Sequence, residues 1–192
     1  MKTENNMKTF TIKKEHLDKD NFYTGLENLS DFDGNVDSEE NLNYVKFKTE
    51  LKVTGYIIFK AGSGIKAGLG IKAGSGIKAG WYIEAGSGIE AGLGIKAGWY
   101  IEAGSGIKAG LGIMCKRTLS AKLRIFAGLC LWRKTTEAEL LITCEKLIEG
   151  EICYGILKEV PVVQDAPKPE INLSGKVVTV ELDGIKYSAT IN

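Results

Sequence analysis

The 192-residue chain carries 25 Lys and Arg against 24 Asp and Glu, and 44% of its residues are hydrophobic. Because positive and negative charges nearly balance, the protein has no strong net electrostatic field that would attract nucleic acid or an anionic membrane. No stretch approaches the roughly 18 apolar residues that span a bilayer, and the N-terminus lacks the apolar run of a signal peptide. We therefore expect a soluble, cytoplasmic protein with no membrane partner.

The first predicted element, residues 1–41, is polar and rich in turn-forming residues, with scattered Leu, Phe and Val. It precedes a repeat whose open end would otherwise stack on other chains. We expect residues 1–41 to form an N-terminal cap, and we expect the single histidine, His16, to lie on its surface.

The second element, residues 42–133, is organised by a repeat of six residues. Residues 59–112 divide without remainder into nine hexads, in which position 1 is Ile or Phe, position 2 is Lys or Glu, and positions 3 and 4 are Ala and Gly. An apolar–charged–apolar start predicts a short strand with its charged residue outward. The glycines that follow predict corners with positive φ.

A longer period lies within the hexads. From the fourth hexad the fifth position reads Trp, Ser, Leu twice, so the pattern repeats every three hexads. The simplest geometry is an all-β, triangular parallel β-helix with about 18 residues per coil, in which residues one coil apart stack about 4.8 Å from each other. Trp81 then stacks on Trp99, and Tyr82 on Tyr100. The first hexads break this order, which predicts a bulge or corner near Ile57–Phe59.

These hexads resemble the hexapeptide-repeat β-solenoids. In that family the fifth position is usually small and points inward, whereas here it is Trp or Leu in about half of the hexads. Either the interior takes one large, one medium and one small residue per coil, or these side chains face outward. The best-known activity of the family is acyl transfer with a histidine base, and no histidine lies in these hexads. We expect no enzyme activity, no catalytic residue, no cofactor and no metal.

The three-hexad coil sorts the charged second positions onto three faces. The first face stacks only lysines, whereas the second and third faces mix lysine with glutamate. The first face also carries the Trp-Tyr pairs, so outward aromatics would form a basic stripe suited to a protein contact or to single-stranded nucleic acid. In the competing arrangement the tryptophans fill the core and the tyrosines cover the corners. The candidate partner-binding residues are Lys60, Lys78, Trp81, Tyr82, Lys96, Trp99 and Tyr100.

Residues 134–160 follow the coils and carry signals of a helix. Thr136 and Glu139 have capping-box spacing, the apolar residues of LLITCEKLI share one helical face, and Gly150 suits a helix end. We expect a helix that caps the far end of the solenoid. A further pair of strands is the alternative.

The chain continues with residues 161–172, which hold all three prolines and are expected to form an extended linker. Residues 173–192 alternate on both sides of Asp183-Gly184, which predicts a β-hairpin. Because two strands alone are marginally stable, the hairpin must dock elsewhere, and homodimerisation through it is one hypothesis. The four cysteines lack C-x-x-C spacing and are expected to be buried free thiols.

The coils, the KLRIFAGLCLW segment and the ELDGIKYSATI segment together resemble accessory proteins of bacteriophages and mobile elements. The resemblance implies a small non-enzymatic protein that binds host machinery, and anti-CRISPR proteins are one such class. We therefore expect an inhibitor or modulator of a host protein or nucleoprotein complex in the host cytoplasm. A structural, self-assembling solenoid of a fibre or inclusion is the alternative, and a hexapeptide-type acyltransferase is the third reading.

Overall fold

A computed structural model describes residues 7–161, 177–182 and 185–190 of the chain. The chain divides into two compact units, Met1–Val162 and Val163–Asn192. In the first unit, parallel strands wind into a β-solenoid of about seven turns, with regular coils of about 18 residues. The predicted triangular β-helix is confirmed in its all-β architecture and in its coil length.

The strands of the solenoid are short, because each hexad contributes only three extended residues before its glycine. In chain order they are β1 (Thr9–Ile12), β2 (Asn35–Ser38), β3 (Asn43–Phe47), β4 (Leu51–Val53), β5 (Ile57–Ile58), β6 (Ser63–Ala67), β7 (Ile71–Ala73), β8 (Ile77–Ala79), β9 (Ile83–Ala85), β10 (Ile89–Ala91), β11 (Ile95–Ala97), β12 (Ile101–Ala103), β13 (Ile107–Ala109), β14 (Ile113–Cys115), β15 (Thr118–Phe126), β16 (Leu141–Cys144), β17 (Lys146–Tyr154) and β18 (Ile156–Glu159). Two 3-10 turns, Lys14–His16 and Glu137–Leu140, interrupt them.

The strands form three parallel faces. The first face has the order β1-β2-β5-β8-β11-β14-β16-β18. The second face stacks β3, β6, β9 and β12, and the third face stacks β4, β7, β10 and β13. β15 joins both of these faces, because its first part pairs with β12 and its last part with β13. β17 pairs along the whole of β15 and continues the same path.

Within the hexads, the register departs from the three-hexad coil at one position. Ile77 pairs with Ile95, three hexads later, whereas the pairing of Ile57 with Ile77 spans two residues more. The two extra residues fall at Ala61 and Gly62, where Gly62 adopts a φ of 72°. The irregularity that the broken hexad order predicts is therefore present, a few residues beyond the expected position.

The interior of the solenoid is filled by the first and third positions of each hexad. In the regular coils these are Ile and Ala, and nearly all are at most 2% exposed. In the regular coils the fifth positions lie outside this core, which decides between the two arrangements that the sequence left open. Full burial of each Ile contributes about 1.5–3 kcal/mol, so stacked Ile columns are the main source of stability.

The glycines at the fourth position are required by close contact between coils. A Cβ added to Gly98 would overlap the carbonyl oxygen of Gly80, and one added to Gly110 would overlap that of Gly92. Neither glycine has a positive φ. The predicted positive φ is present at Gly62 in the first hexad and is wrong at the corners of the regular coils, which exclude a side chain because the previous coil already occupies the space.

The N-terminal segment continues the coils and closes them with aromatic rings. β1 and β2 extend the first face, while bridges from Phe22 and Phe32 add to the second and third faces. His16, which was expected on the surface, stacks on Phe10 with ring centroids 5.3 Å apart. Tyr23 packs edge-on to Phe10 as well, so an aromatic cluster covers this end of the core.

The predicted capping helix at residues 134–160 is wrong. The capping box of Thr136 and Glu139 is present, but it begins only the 3-10 turn Glu137–Leu140. Residues 141–159 then form β16, β17 and β18, and the part of the chain described by the structure contains no α-helix. The period-two burial of Leu141–Cys144 and its pairing with β14 explain the outcome: the chain adds another coil.

The second unit contains a hairpin ladder. β19 (Val177–Leu182) pairs antiparallel with β20 (Ile185–Thr190), which confirms the two predicted strands. The Asp183-Gly184 turn lies outside the described residues. So does the predicted linker 161–172, apart from its first residue.

Candidate binding surface on the first face

The outward residues of the first face form one column along the solenoid. The register aligns Ile58, Lys78, Lys96, Met114 and Thr143 on successive coils. Each lies at the second position of its strand or one residue beyond it, where the alternation of a β-strand directs the side chain to solvent. We call this row the lysine column, because Lys78 and Lys96 form its centre and both are exposed.

Within the hexads, lysines at the same position on the other two faces are neutralised by glutamates. On the second face the ammonium of Lys66 lies 2.5 Å from a carboxylate oxygen of Glu84. On the third face Glu90 accepts hydrogen bonds from Lys72 at 3.0 Å and from Lys108 at 3.2 Å. Burial alone would raise the pKa of Glu90, but the hydrogen bonds from the two lysines outweigh it and hold the pKa below its usual value.

The lysine column has no such neutralisation. Lys78 and Lys96 are direct neighbours in the ladder. Within the described residues neither has a carboxylate oxygen within 4.0 Å. Like charges on adjacent strands destabilise a sheet. Adjacent like charges also occur on the other two faces, but at least one residue of each such pair forms an ion pair: Lys46–Lys66, Glu84–Glu102 and Lys52–Lys72. Among the described residues the pair Lys78–Lys96 has no ion pair, and this distinguishes the first face.

A ladder of tryptophans runs beside the lysine column. The rings of Trp81 and Trp99 stack with centroids 6.1 Å apart and an angle of 26° between their planes. Trp99 is 55% exposed, so its ring faces solvent and not the core. Gly80 and Gly98 form the floor of a shallow groove of about 500 Å³ between this ladder and the lysine column.

Lys60 does not occupy the position that the hexads predict. Because of the two-residue insertion, Ile58 and not Lys60 pairs with Lys78. Lys60 lines the tryptophan groove, together with Lys116 from a later coil. The structure therefore places Lys60 near Trp81 but outside the lysine column.

The tyrosines at the same corner have a different environment. Tyr82 is 4% exposed and stacks between Tyr44, at 3.5 Å between centroids, and Tyr100, at 5.1 Å. The hydroxyls of Tyr44 and Tyr100 are hydrogen-bonded to each other. Burial raises the pKa of Tyr82 and of Tyr100. Tyr82 fills the space beside Gly64, so it builds the corner and offers little surface to a partner.

A second groove lies on the opposite side of the lysine column. Its floor is the glycine row Gly76, Gly94 and Gly112, and its volume is about 620 Å³. The walls are mainly apolar and include Tyr56, Ile58, Leu93, Met114, Ala138 and Leu141, with the stems of Lys78 and Lys96 along one edge. Sequence reasoning missed this groove. The sequence signal that could have predicted it is the glycine at the sixth position of the hexads ending at Gly76, Gly94 and Gly112. These glycines lie beside Ile58 and Met114, the apolar residues on either side of the two lysines.

The described residues contain no cluster of three or more His, Cys, Asp or Glu that could hold a metal ion. The cysteines are free thiols, of which Cys115 and Cys144 are buried, Cys130 is half-buried and Cys153 is exposed. Burial raises the pKa of Cys115 to about 12 and that of Cys144 to about 11. These two thiols stay protonated and act as small apolar groups in the core.

Comparisons of the chain with protein families, with curated proteins and with solved structures find no match. None of the helical segments among the described residues has the length and apolar content needed to cross a bilayer.

Proposed function

We propose that the protein is a non-enzymatic binding protein whose first face inhibits or modulates a host protein or nucleoprotein complex. The observation that carries this proposal is the pair of adjacent, unneutralised lysines, Lys78 and Lys96, beside the tryptophan ladder, in which Trp99 is exposed and Trp81 is half-buried. The other two faces show that glutamate fits the same position and forms ion pairs there. Stability alone therefore does not explain the lysine pair, whereas an anionic partner does.

The chemistry of the surface suits a protein contact. Tryptophan is among the residues most enriched at interface hot spots, because it removes a large rigid area from water at a small entropic cost. Adjacent ammonium groups attract carboxylates or phosphates and accelerate the encounter with an acidic partner. The flat glycine floors beside the lysine column let a partner approach the backbone closely.

The resemblance to phage and mobile-element accessory proteins leads to the finer part of the proposal. A protein of this kind would act in the host cytoplasm on a defence complex, in the manner of an anti-CRISPR protein. Nucleoprotein targets carry both acidic side chains and phosphates, and either would neutralise the lysine column.

A structural, self-assembling solenoid is the second candidate, and it rests on a separate observation. In the described residues, β17 and β18 have a hydrogen-bonded neighbour strand on one side only. Leu157 occupies the inward position above Ile142, yet it is 38% exposed. An open edge of this kind is a template for pairing with another chain. Homodimerisation through the C-terminal hairpin belongs to the same class of proposal.

An affinity capture tests the proposal. Full-length protein, Trp81→Ala/Trp99→Ala and the control Leu69→Ala/Leu123→Ala are immobilised and exposed to lysate of a CRISPR-bearing host, with and without nuclease. The control removes two exposed apolar side chains from another corner of the solenoid. The proposal requires one dominant host protein that the control retains and the tryptophan variant loses.

Three outcomes would redirect the assignment. Recovery of the protein itself, with no host protein, would favour the self-assembling solenoid. Equal capture by wild type and by the tryptophan variant would remove the first face from the function. Specific retention of acyl-coenzyme A would support the third reading, an acyltransferase.

A further inference from the structure

The apolar groove beside the lysine column is a second concave surface, and the tryptophan ladder does not line it. It extends from β5 to β16 on the first face, which is four coil spacings or about 19 Å. Its floor consists of glycine backbone, so a ligand can lie directly against the sheet. Met114 is 45% exposed and Leu93 is 38% exposed along its walls, and covering these side chains would remove apolar surface from water.

The charges at the groove restrict what can occupy it. Lys78 and Lys96 both line the groove, and no acidic residue is among its lining residues. An occupant that is apolar along its length and presents carboxylates or other anions to this edge is therefore complementary to the groove. This favours an acidic amphipathic segment over a neutral or basic apolar one.

The spacing of the two lysines favours a helix over a strand. Their positions on adjacent coils are about 4.8 Å apart. Side chains three or four residues apart on a helix are separated by about 5–6 Å, whereas alternate residues of a strand are separated by about 6.8 Å. A helix rises 1.5 Å per residue, so about 13 residues span the groove.

We propose that this groove binds an acidic amphipathic helix of a partner protein, with apolar side chains on the glycine floor and carboxylates on Lys78 and Lys96. The inference rests on the proposed function, since it names the partner chemistry of the same face. It follows the general mode in which an amphipathic helix lays its apolar face in a hydrophobic groove.

A peptide selection tests the inference while the partner is still unidentified. The probe is a display library of randomised peptides of about 13 residues in a helix-favouring frame, selected against the full-length protein. Enriched peptides should combine Leu, Ile or Phe at helical spacing with Asp or Glu on one flank. Their affinity should fall roughly tenfold or more on Lys78→Glu/Lys96→Glu, since charge reversal replaces attraction with repulsion.

Two further variants locate the contact. Ile58→Gln/Met114→Gln should weaken the selected peptides to a similar extent, because it makes two apolar wall positions polar. The control Lys122→Glu/Lys134→Glu carries the same change in charge at exposed positions away from the groove and should bind as wild type does. A circular dichroism spectrum identical to that of the wild type shows that each variant is folded.

Three results would overturn the inference. The first is that the selected peptides bind the wild type no better than Lys78→Glu/Lys96→Glu, the second is that they lack carboxylates, and the third is that they still bind Ile58→Gln/Met114→Gln with full affinity. A single-stranded oligonucleotide that binds through the lysines, with no peptide enriched, would assign them to nucleic acid instead. The two proposals fail separately. Capture of a host protein through the tryptophans, with no selected peptide, would contradict only the proposal that the groove binds a helix. Selected peptides without a host target would contradict only the proposed function.

Discussion

At the scale of single residues, the hexad divides its positions between the core, the neighbouring coil and solvent. The fourth and sixth positions are both glycine in most hexads, but for different reasons. A Cβ at Gly98 would overlap the backbone of the previous coil, whereas a Cβ at Gly70 would lie 3.4 Å from the carbonyl oxygen of Gly88. In the regular coils the fourth position excludes every side chain, whereas a Cβ at the sixth position keeps 3.2–3.4 Å from its nearest neighbour at Gly70, Gly76, Gly88 and Gly94. This explains why the sixth position can become tyrosine at one corner.

Gly98→Ala should destabilise the protein by about 1–3 kcal/mol, because the added methyl group forces two coils apart. Gly70→Ala is the matched control and should change the free energy of unfolding by less than about 0.5 kcal/mol. Urea unfolding followed by circular dichroism measures both. Equal effects of the two substitutions would contradict the assignment of the fourth position to coil contact.

At the scale of elements, the corner between the first and second faces carries two kinds of aromatic residue. Some are buried and support the fold, and others lie on the surface. Tyr82 is enclosed by two other tyrosines, whereas Trp99 is more than half exposed. Sequence pattern alone assigned both to the same candidate surface. The difference comes from Tyr44, which precedes the clear hexads and reaches Tyr82 across Gly64.

Tyr82→Ala should therefore lower the free energy of unfolding by about 3–5 kcal/mol, the usual cost of deleting a buried aromatic ring. Trp99→Ala should cost far less, because its ring already faces water. Thermal or urea unfolding of the two variants side by side makes the comparison. A larger loss for Trp99→Ala would mean that the tryptophan ladder supports the fold and would weaken its assignment to binding.

The elements also show where sequence reasoning succeeds and where it does not. The hexad period predicts the coil, the three faces and the Ile-Ala core, because each follows from local alternation. It misplaces Lys60, since a two-residue insertion leaves the hexads in phase while it shifts the ladder. The residues of LLITCEKLI satisfy a helical period as well as a strand period. The segment forms a strand because it can pair with the open edge of β14, and a local sequence pattern holds no information about that edge.

At the scale of the whole molecule, a solenoid is a one-dimensional stack in which each coil depends on its neighbours. The central strands have partners on both sides, while β17 and β18 have one neighbour strand among the described residues. The N-terminal end differs, because Phe10, His16, Tyr23 and Phe32 cover the core there. The two ends of the solenoid are therefore unequal.

Amide hydrogen exchange should reflect this inequality. The amides of β8 through β13 should exchange slowest, and those of β17 and β18 fastest among the strands of the solenoid, because these two are paired on one side and lack the aromatic cover that β1 has. Mass spectrometry of the full-length protein resolves the gradient along the chain. Strong protection of β17 and β18 at micromolar concentration, lost on dilution, would instead support association of copies through this end.

If Lys78 and Lys96 serve binding and not folding, Lys96→Glu should separate the two properties. The substitution creates beside Lys78 the same ion pair that Lys66 and Glu84 form on the second face. The account predicts a free energy of unfolding that rises by about 0.2–1 kcal/mol, together with loss of the captured host protein. Capture that is unchanged in a stabilised Lys96→Glu variant would contradict the account.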